Sequence, residues 1–222
     1  MVQDTTHKPI SAAGKAEFYS ELLIKLEALL EGITNPVTVL SNAAALVHHE
    51  LNSSSFKYKD SVNWSGFYYL DKTNSKFLIL GPFQGKVACT RIKIGTGVCG
   101  TAAENKKPCL VPNVHEFEGH ITCDSNSISE LVLPIVDPSS EKLLAVLDLD
   151  SSTLSSFDEE DVLGLEQIVK FLATVSEQTT NLAANYDSDV STLQVVKAAR
   201  FDENIGESLI NSTLVNVFNS QT

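Results

Sequence analysis

The chain has 222 residues, with 16 Lys+Arg against 28 Asp+Glu and a net charge of −12. That balance excludes the basic face of a nucleic-acid binder and adhesion to an anionic membrane surface. An apolar fraction of 43% lets a chain of this length bury a core without disulfide staples, and the length suits one domain plus extensions.

No stretch is apolar enough to span a bilayer. Runs such as Leu131 to Val136 fall far short of the ~20 residues a spanning helix needs. Met1 to Gly14 is polar, with one Lys and no Arg. It is expected to be flexible, and to be neither a secretory signal nor a mitochondrial presequence. The expected address is cytoplasmic, the nucleus included. Four cysteines in that compartment read as thiols, redox groups or metal ligands rather than permanent bridges.

In chain order, Gly14 to Ile33 reads as an amphipathic helix, with Tyr19, Leu22, Leu23, Leu26, Leu29, Leu30 and Ile33 at three- and four-residue spacing. Asn35-Pro36 ends it, and Pro36 suits the first turn of a second helix. Val37, Leu40, Ala43, Ala44 and Val47 mark that helix's apolar stripe. Trp64 to Leu70 and Lys76 to Leu80 read as a hairpin of strands joined at Asp71 to Ser75, followed by a loop from Gly81 to Gly85. Val87 to Ile94 alternates as a half-exposed strand. Gly95 to Gly100 is a glycine turn, Thr101 to Asn105 a short helix at most, and Cys109 to Val111 a short strand. Asn113 to Ser129 is a long polar loop, and such loops in compact domains are usually functional. Leu131 to Val136 and Leu143 to Leu149 are strands. Ser156 as N-cap and Glu159 three residues on form a capping-box pattern that opens a helix to about Gln178. Beyond it, short helices are expected around 193–199 and 209–218. Two helices, about six strands joined by short turns and a closing helix predict an α+β domain on a central antiparallel sheet.

Gly95-Thr96-Gly97-Val98-Cys99-Gly100 matches G-x-G-x-x-G. A dinucleotide fingerprint needs a long crossover helix behind it, and Pro108 cuts that helix short. The expected role is a tight turn with positive φ and close backbone approach. The cysteines stand at 89, 99, 109 and 123 with no C-x-x-C. A zinc site from Cys123, His120 and His115 matches none of the usual closed spacings, so no metal is expected. Cys109, in an apolar run, reads as a packed residue. Cys123, among Thr122, Asp124, Ser125 and Asn126, reads as exposed; it is reactive only as a thiolate, which His120 would favour and nearby acids would oppose. Asp148 and Asp150 share one face of their strand, and Glu130 precedes the neighbouring one. Clustered carboxylates raise one another's pKa, so one of them can keep a proton for donation near neutrality. Trp64, the only tryptophan, is a core residue or an aromatic wall for a small ligand.

Five stretches together carry a resemblance: Asn63-Trp64-Ser65-Gly66-Phe67-Tyr68; Gly81-Pro82-Phe83-Gln84-Gly85 through Cys89; Gly97-Val98-Cys99-Gly100-Thr101-Ala102; Gly119-His120-Ile121-Thr122-Cys123-Asp124 with Ser129-Glu130; and Val146-Leu147-Asp148-Leu149-Asp150. The sequence resembles the free methionine-(R)-sulfoxide reductases, which are GAF domains. The resemblance implies a GAF-like domain over 15–180, with 181–222 as an extension of no assigned role. It implies that Cys123 attacks the sulfoxide of free methionine-R-sulfoxide and is left as a sulfenic acid. Cys89 then resolves it as a disulfide, with Cys99 as alternative or second resolver. Thioredoxin restores the thiols. Trp64 and Tyr68 would hold the methyl-sulfoxide end. Glu130, Asp148 and Asp150 would take the α-ammonium and protonate the oxygen. No cofactor is implied. The family suggests a homodimer, with the apolar face of the first helix as candidate interface. The competing reading is a non-catalytic small-molecule-sensing GAF module, or a thiol redox switch without a substrate. The cysteine triplet separates these, since a sensor has no need of it.

Overall fold

The computed structural model describes residues 8–121 and 123–175. The helices expected around 193–199 and 209–218, and the whole extension 181–222, lie outside the described residues. Helix α1 spans Lys15–Leu30, with Gly14 as N-cap. Glu17, in the first turn, accepts from the Ala13 N–H at 2.9 Å and so ties the preceding chain to the helix start. Helix α2 spans Pro36–Ser53. Asn35 caps it by accepting from the Thr38 N–H at 3.0 Å, and Pro36 holds the first position. Val37, placed on the buried stripe by spacing, is instead 54% exposed; the stripe starts at Val39 and Leu40.

The sheet comprises β1 (Val62–Leu70), β2 (Phe77–Gly85), β3 (Arg91–Lys93), β4 (Cys109–Val111), β5 (Ser129–Val136) and β6 (Leu143–Ser151). Its order is β3-β2-β1-β6-β5-β4, every pair antiparallel. Residues 81–85, expected as a loop, continue β2. Between the pairs Gly66–Phe83 and Tyr68–Leu80, β2 carries one residue more than β1. A bulge of this kind is one of the few places where a sheet accepts a proline, here Pro82. The strand expected over Val87 to Ile94 contracts to three residues, which leaves Cys89 in irregular backbone.

Helix α3 (Gly97–Asn105) begins inside the glycine turn rather than after it. Gly95 and Gly97 have φ of +81° and +67°. A Cβ on Gly100 would lie 2.4 Å from the Lys93 carbonyl oxygen, so the helix start packs onto the chain before it only without a side chain there. The motif is thus a tight turn, and no parallel strand follows α3.

Helices α1, α2 and a closing helix over residues 159–175 cover one face of the sheet. Phe18, Leu22, Leu26, Ala43, Val47, Leu165, Ile168 and Leu172 pack there against Phe67, Leu131, Leu133, Leu147 and Leu149. Fully burying each large side chain is worth about 1.5–3 kcal/mol. The apolar face of α1, expected as a contact for a second copy, is committed to this core, and its large exposed apolar residue is Ile24. Ile10, in the stretch read as a flexible lead, is buried in the same core, and its N–H donates to Glu50 at 2.8 Å. The closing helix is capped two residues later than expected. The Asp161 N–H faces Asp158 Oδ1, and the Asp158 N–H donates to Asp161 Oδ2 at 2.8 Å. Ser156 instead turns inward and donates to the Thr153 carbonyl. The opposite sheet face carries a smaller apolar cluster around Trp64, Tyr68, Leu78, Ile92, Val98, Val132 and Val146, roofed by α3 and the loops that flank it.

Candidate active site

A pocket opens on this second face. Its wall is drawn from β1, β5, β6, the start of α3, the segment after β2 and the polar loop before β5. The period-two alternation of the strands decides what faces it. On β6, Ala145, Leu147 and Leu149 point to the helices, so Asp148 and Asp150 point to the pocket. On β5, Leu131 and Leu133 point to the helices, so Glu130 joins the acids. Glu130 is the second residue of its strand rather than a residue before it. The register closes the group: Trp64 and Glu130 both lie opposite Asp150, while Gly66 and Val132 lie opposite Asp148.

The three carboxyls share a site whose wall contains no Lys or Arg among the described residues. Burial pushes Glu130 and Asp150 well above the usual carboxylate range, and the neighbouring acids push them further. Burial raises Asp148 to about 7, against hydrogen bonding from Cys99 and Glu130. Asp148 is 6% exposed, and its Oδ1 has no hydrogen-bond partner. Burial, reinforced by Asp148 and Glu130, also raises the Cys99 thiol well above its ordinary value; its Sγ lies 3.9 Å from Glu130 Oε1. His120 Nε2 stands 3.7 Å from Glu130 Oε2. Burial and His115 lower its pKa, which favours the neutral ring, while burial and Asp148 favour the protonated form of Glu130.

Trp64 is sandwiched, with Phe83 at 5.2 Å and Tyr68 at 5.8 Å between ring centroids. Its indole N–H donates to the Lys86 carbonyl at 3.2 Å. It is therefore both core and wall. Tyr68, beside it, is raised by burial and Asp148, so it stays a neutral phenol.

A disulfide joins Cys89 and Cys123, with Cα atoms 5.6 Å apart. It ties the irregular segment after β2 to the polar loop. That loop is anchored from below: Asn63 Nδ2 donates to Ser127 Oγ at 3.0 Å and to Asp124 Oδ2 at 3.3 Å, and Lys86 Nζ lies 3.6 Å from Asp124. Cys123 is exposed, as its polar neighbours imply, and Cys89 is half-buried. Cys99 is a buried free thiol; Cys109 is half-buried and free, packed at the edge of the smaller cluster.

Seven of the eight residues singled out in the sequence, Trp64, Tyr68, Cys99, Cys123, Glu130, Asp148 and Asp150, line the pocket. Cys89 reaches it through its bond to Cys123. The wall also includes Val87, Ala88, Thr96, Gly97, Val98, Ile121, Asp124 and Ser127, which sequence reasoning did not select. Ile121, Asp124 and Ser127 belong to the polar loop expected to be functional as a unit; Val87, Ala88, Thr96, Gly97 and Val98 are residue types common in any turn or core, which leaves no signature in residue type. The zinc set considered from the sequence is not assembled, since Cys123 is bonded to Cys89.

A curled antiparallel sheet with helices on both faces and a pocket over one of them defines a GAF domain, and the GAF domain family matches residues 26–175. The chain is 42% identical over 165 residues to the free methionine-R-sulfoxide reductase of Escherichia coli K12, covering 74% of this chain and 92% of that protein. It is 42% identical over 162 residues to the protein of the same name from Saccharomyces cerevisiae, covering 73% and 87%. The solved free methionine-R-sulfoxide reductase of Neisseria meningitidis, in complex with its substrate, matches with a TM-score of 0.70 at 37% identity, over 80% of this chain and 99% of that one. The chain belongs to the free methionine-R-sulfoxide reductase family of GAF-domain proteins. No helix among the described residues is long and apolar enough to cross a membrane.

Proposed function

We propose that this protein reduces free L-methionine-(R)-S-oxide to L-methionine in the cytoplasm, as a repair of oxidised free methionine. The observation that carries the reading is a disulfide between Cys89 and Cys123 beside a pocket walled by Trp64 and lined by the buried Glu130 and Asp148 and the half-buried Asp150. A disulfide at a ligand pocket has no use in a passive sensor, and the named relatives support the substrate.

In this reading the reduced Cys123 attacks the sulfoxide sulfur. The oxygen passes to the Cys123 sulfur as the S–O bond and the transient sulfur–sulfur bond break, so methionine leaves and Cys123 is left as a sulfenic acid. A protonated carboxyl of the trio hydrogen-bonds the sulfoxide oxygen and supplies the proton that makes the attack feasible. An ionised one binds the α-ammonium. A methionine sulfoxide inside a peptide chain has no ammonium to offer, which restricts the substrate to the free amino acid. Trp64 and Tyr68 hold the methyl-sulfoxide end. The Cys89 thiol then attacks the sulfenic sulfur, expels water and closes the disulfide. A thioredoxin-type dithiol supplies two electrons and two protons to reopen it and is itself oxidised. Cys99 is an alternative or second resolving thiol, and burial raises its pKa, which makes it slow beside Cys89.

The test is a coupled assay with thioredoxin, thioredoxin reductase and NADPH. It compares free methionine-R-sulfoxide, the S epimer and a sulfoxide-containing peptide. The expected result is NADPH consumption with the free R form alone. No consumption by protein with reduced cysteines would replace the reading with a sensor.

A further inference from the structure

We propose that Cys99, Glu130 and Asp148 form a binding site for a borderline-soft divalent cation, zinc in the cell, and that the bound ion excludes the substrate. One ligand atom from each residue, the Cys99 sulfur and one oxygen from each carboxylate, lies within 4.8 Å of the others, and all three residues are buried. The Cys99 Sγ and Glu130 Oε1 are 3.9 Å apart. Around a tetrahedral zinc with bonds of about 2.3 Å to sulfur and 2.0–2.2 Å to oxygen, ligand atoms stand roughly 3.3–3.6 Å apart. Closing the trio onto an ion therefore requires the ligand atoms to draw together by no more than about 1.5 Å.

A second observation points the same way. Asp148 Oδ1 is buried without a hydrogen-bond partner in the wall of the pocket, so a lone-pair site is already desolvated and unused there. The ligand set selects the ion. A thiolate with two carboxylates suits zinc, cobalt or cadmium, whereas magnesium and calcium require six or more oxygens. On binding, a metal–sulfur bond and two metal–oxygen bonds form, and the Cys99 thiol proton and any proton held on the Glu130 and Asp148 carboxyls leave to solvent. The open side of the pocket leaves room for water as a fourth ligand.

Neither disulfide cysteine belongs to the site, so the ion binds with Cys89–Cys123 closed as well as open. This distinguishes it from metal capture by the reduced redox pair. The competition with substrate rests on the reductase reading, because it arises from Glu130 and Asp148 serving both. The binding itself does not.

The experiment uses the full chain with Cys89–Cys123 joined, titrated with cobalt(II) as an optical probe. We expect one cobalt per chain with a sulfur-to-cobalt charge-transfer band. The band disappears in Cys99→Ser and persists in Cys109→Ser. Asp148→Asn loses at least the roughly ten- to hundredfold in affinity that a metal's outer-shell partners command. Circular dichroism verifies that each variant is folded. Absence of the band at millimolar cobalt, or its survival in Cys99→Ser, overturns the site. Free methionine sulfoxide should lower the apparent cobalt affinity, and zinc should raise KM without lowering kcat. Turnover that zinc leaves untouched overturns the competition. A cobalt site in a protein that turns over no sulfoxide would instead overturn the reductase reading and leave the metal site standing.

Discussion

A thiol that attacks a sulfoxide needs an acid at the departing oxygen and a second thiol within bonding reach, and these demands fall on individual residues. Cys123→Ser is expected to abolish turnover, because no other thiol lies exposed on the pocket wall. Cys89→Ser should release one methionine per chain and then stall in the thioredoxin cycle. Mass spectrometry of the trapped chain and a burst measurement of methionine decide both; full multiple turnover by Cys123→Ser would remove it as nucleophile. Asp148 yields a pH prediction. Its value is about 7 in the fold and roughly 3.9 in the unfolded chain. The native state holds the proton more tightly, so this contribution to stability is complete below about pH 4 and is lost as pH rises through about 7. Asp148→Asn mimics the protonated form. In buffer with chelator it should stabilise the protein at pH 8 by on the order of 1–3 kcal/mol and by little at pH 4. Urea midpoints for the two proteins that run parallel across that range would contradict this. Residue types were legible in the sequence here: the acids, the tryptophan and the cysteines stand out in their stretches. What each faces was legible only where strand alternation dictated it, as for Asp148 and Asp150.

At the scale of elements, local signals compete and tertiary contacts choose between them. The stretch from Ser156 to Asp161 contains two overlapping caps, Ser156 with Glu159 and Asp158 with Asp161. The second is used because Asp161 also meets Lys15 Nζ at 2.7 Å and the Tyr19 hydroxyl at 2.9 Å, contacts that come from α1. Asp158→Ala should cost about 1 kcal/mol, within the usual range for a lost N-cap. Asp158→Ser, which keeps a cap, should cost less; equal losses in chemical denaturation would place the effect in the Lys15–Asp158 contact instead. The continuation of β2 through Gly81 and Pro82 was illegible for a related reason. Both residues signal a turn locally, and only the pairing with β1 and a bulge keep the chain extended. The contraction of β3 is the converse: Val87 to Thr90 alternates like a strand, yet Val87 is 88% exposed and the segment is drawn off the sheet to Cys123.

At the scale of the whole molecule, the Cys89–Cys123 bond closes a loop across a sequence separation of 34 residues. Joining such a loop restricts the unfolded chain, and a bond of this kind typically stabilises by 2–4 kcal/mol. Reduction should therefore lower the melting temperature by several degrees while the far-ultraviolet circular dichroism stays constant; equal melting temperatures would mean that native strain cancels the gain. The sequence by itself determined the α+β class, the antiparallel sheet and the helices that cover one face. Each of these follows from periodicity and turn chemistry, which are local. It also determined, through motif resemblance, the family. Only the tertiary structure decided which cysteines are joined, because that depends on two loops from opposite edges of the sheet meeting above one face. Only the tertiary structure decided, too, that Cys99 and the three acids share one cavity, where burial strengthens the hold of the thiol and of each carboxyl on its proton.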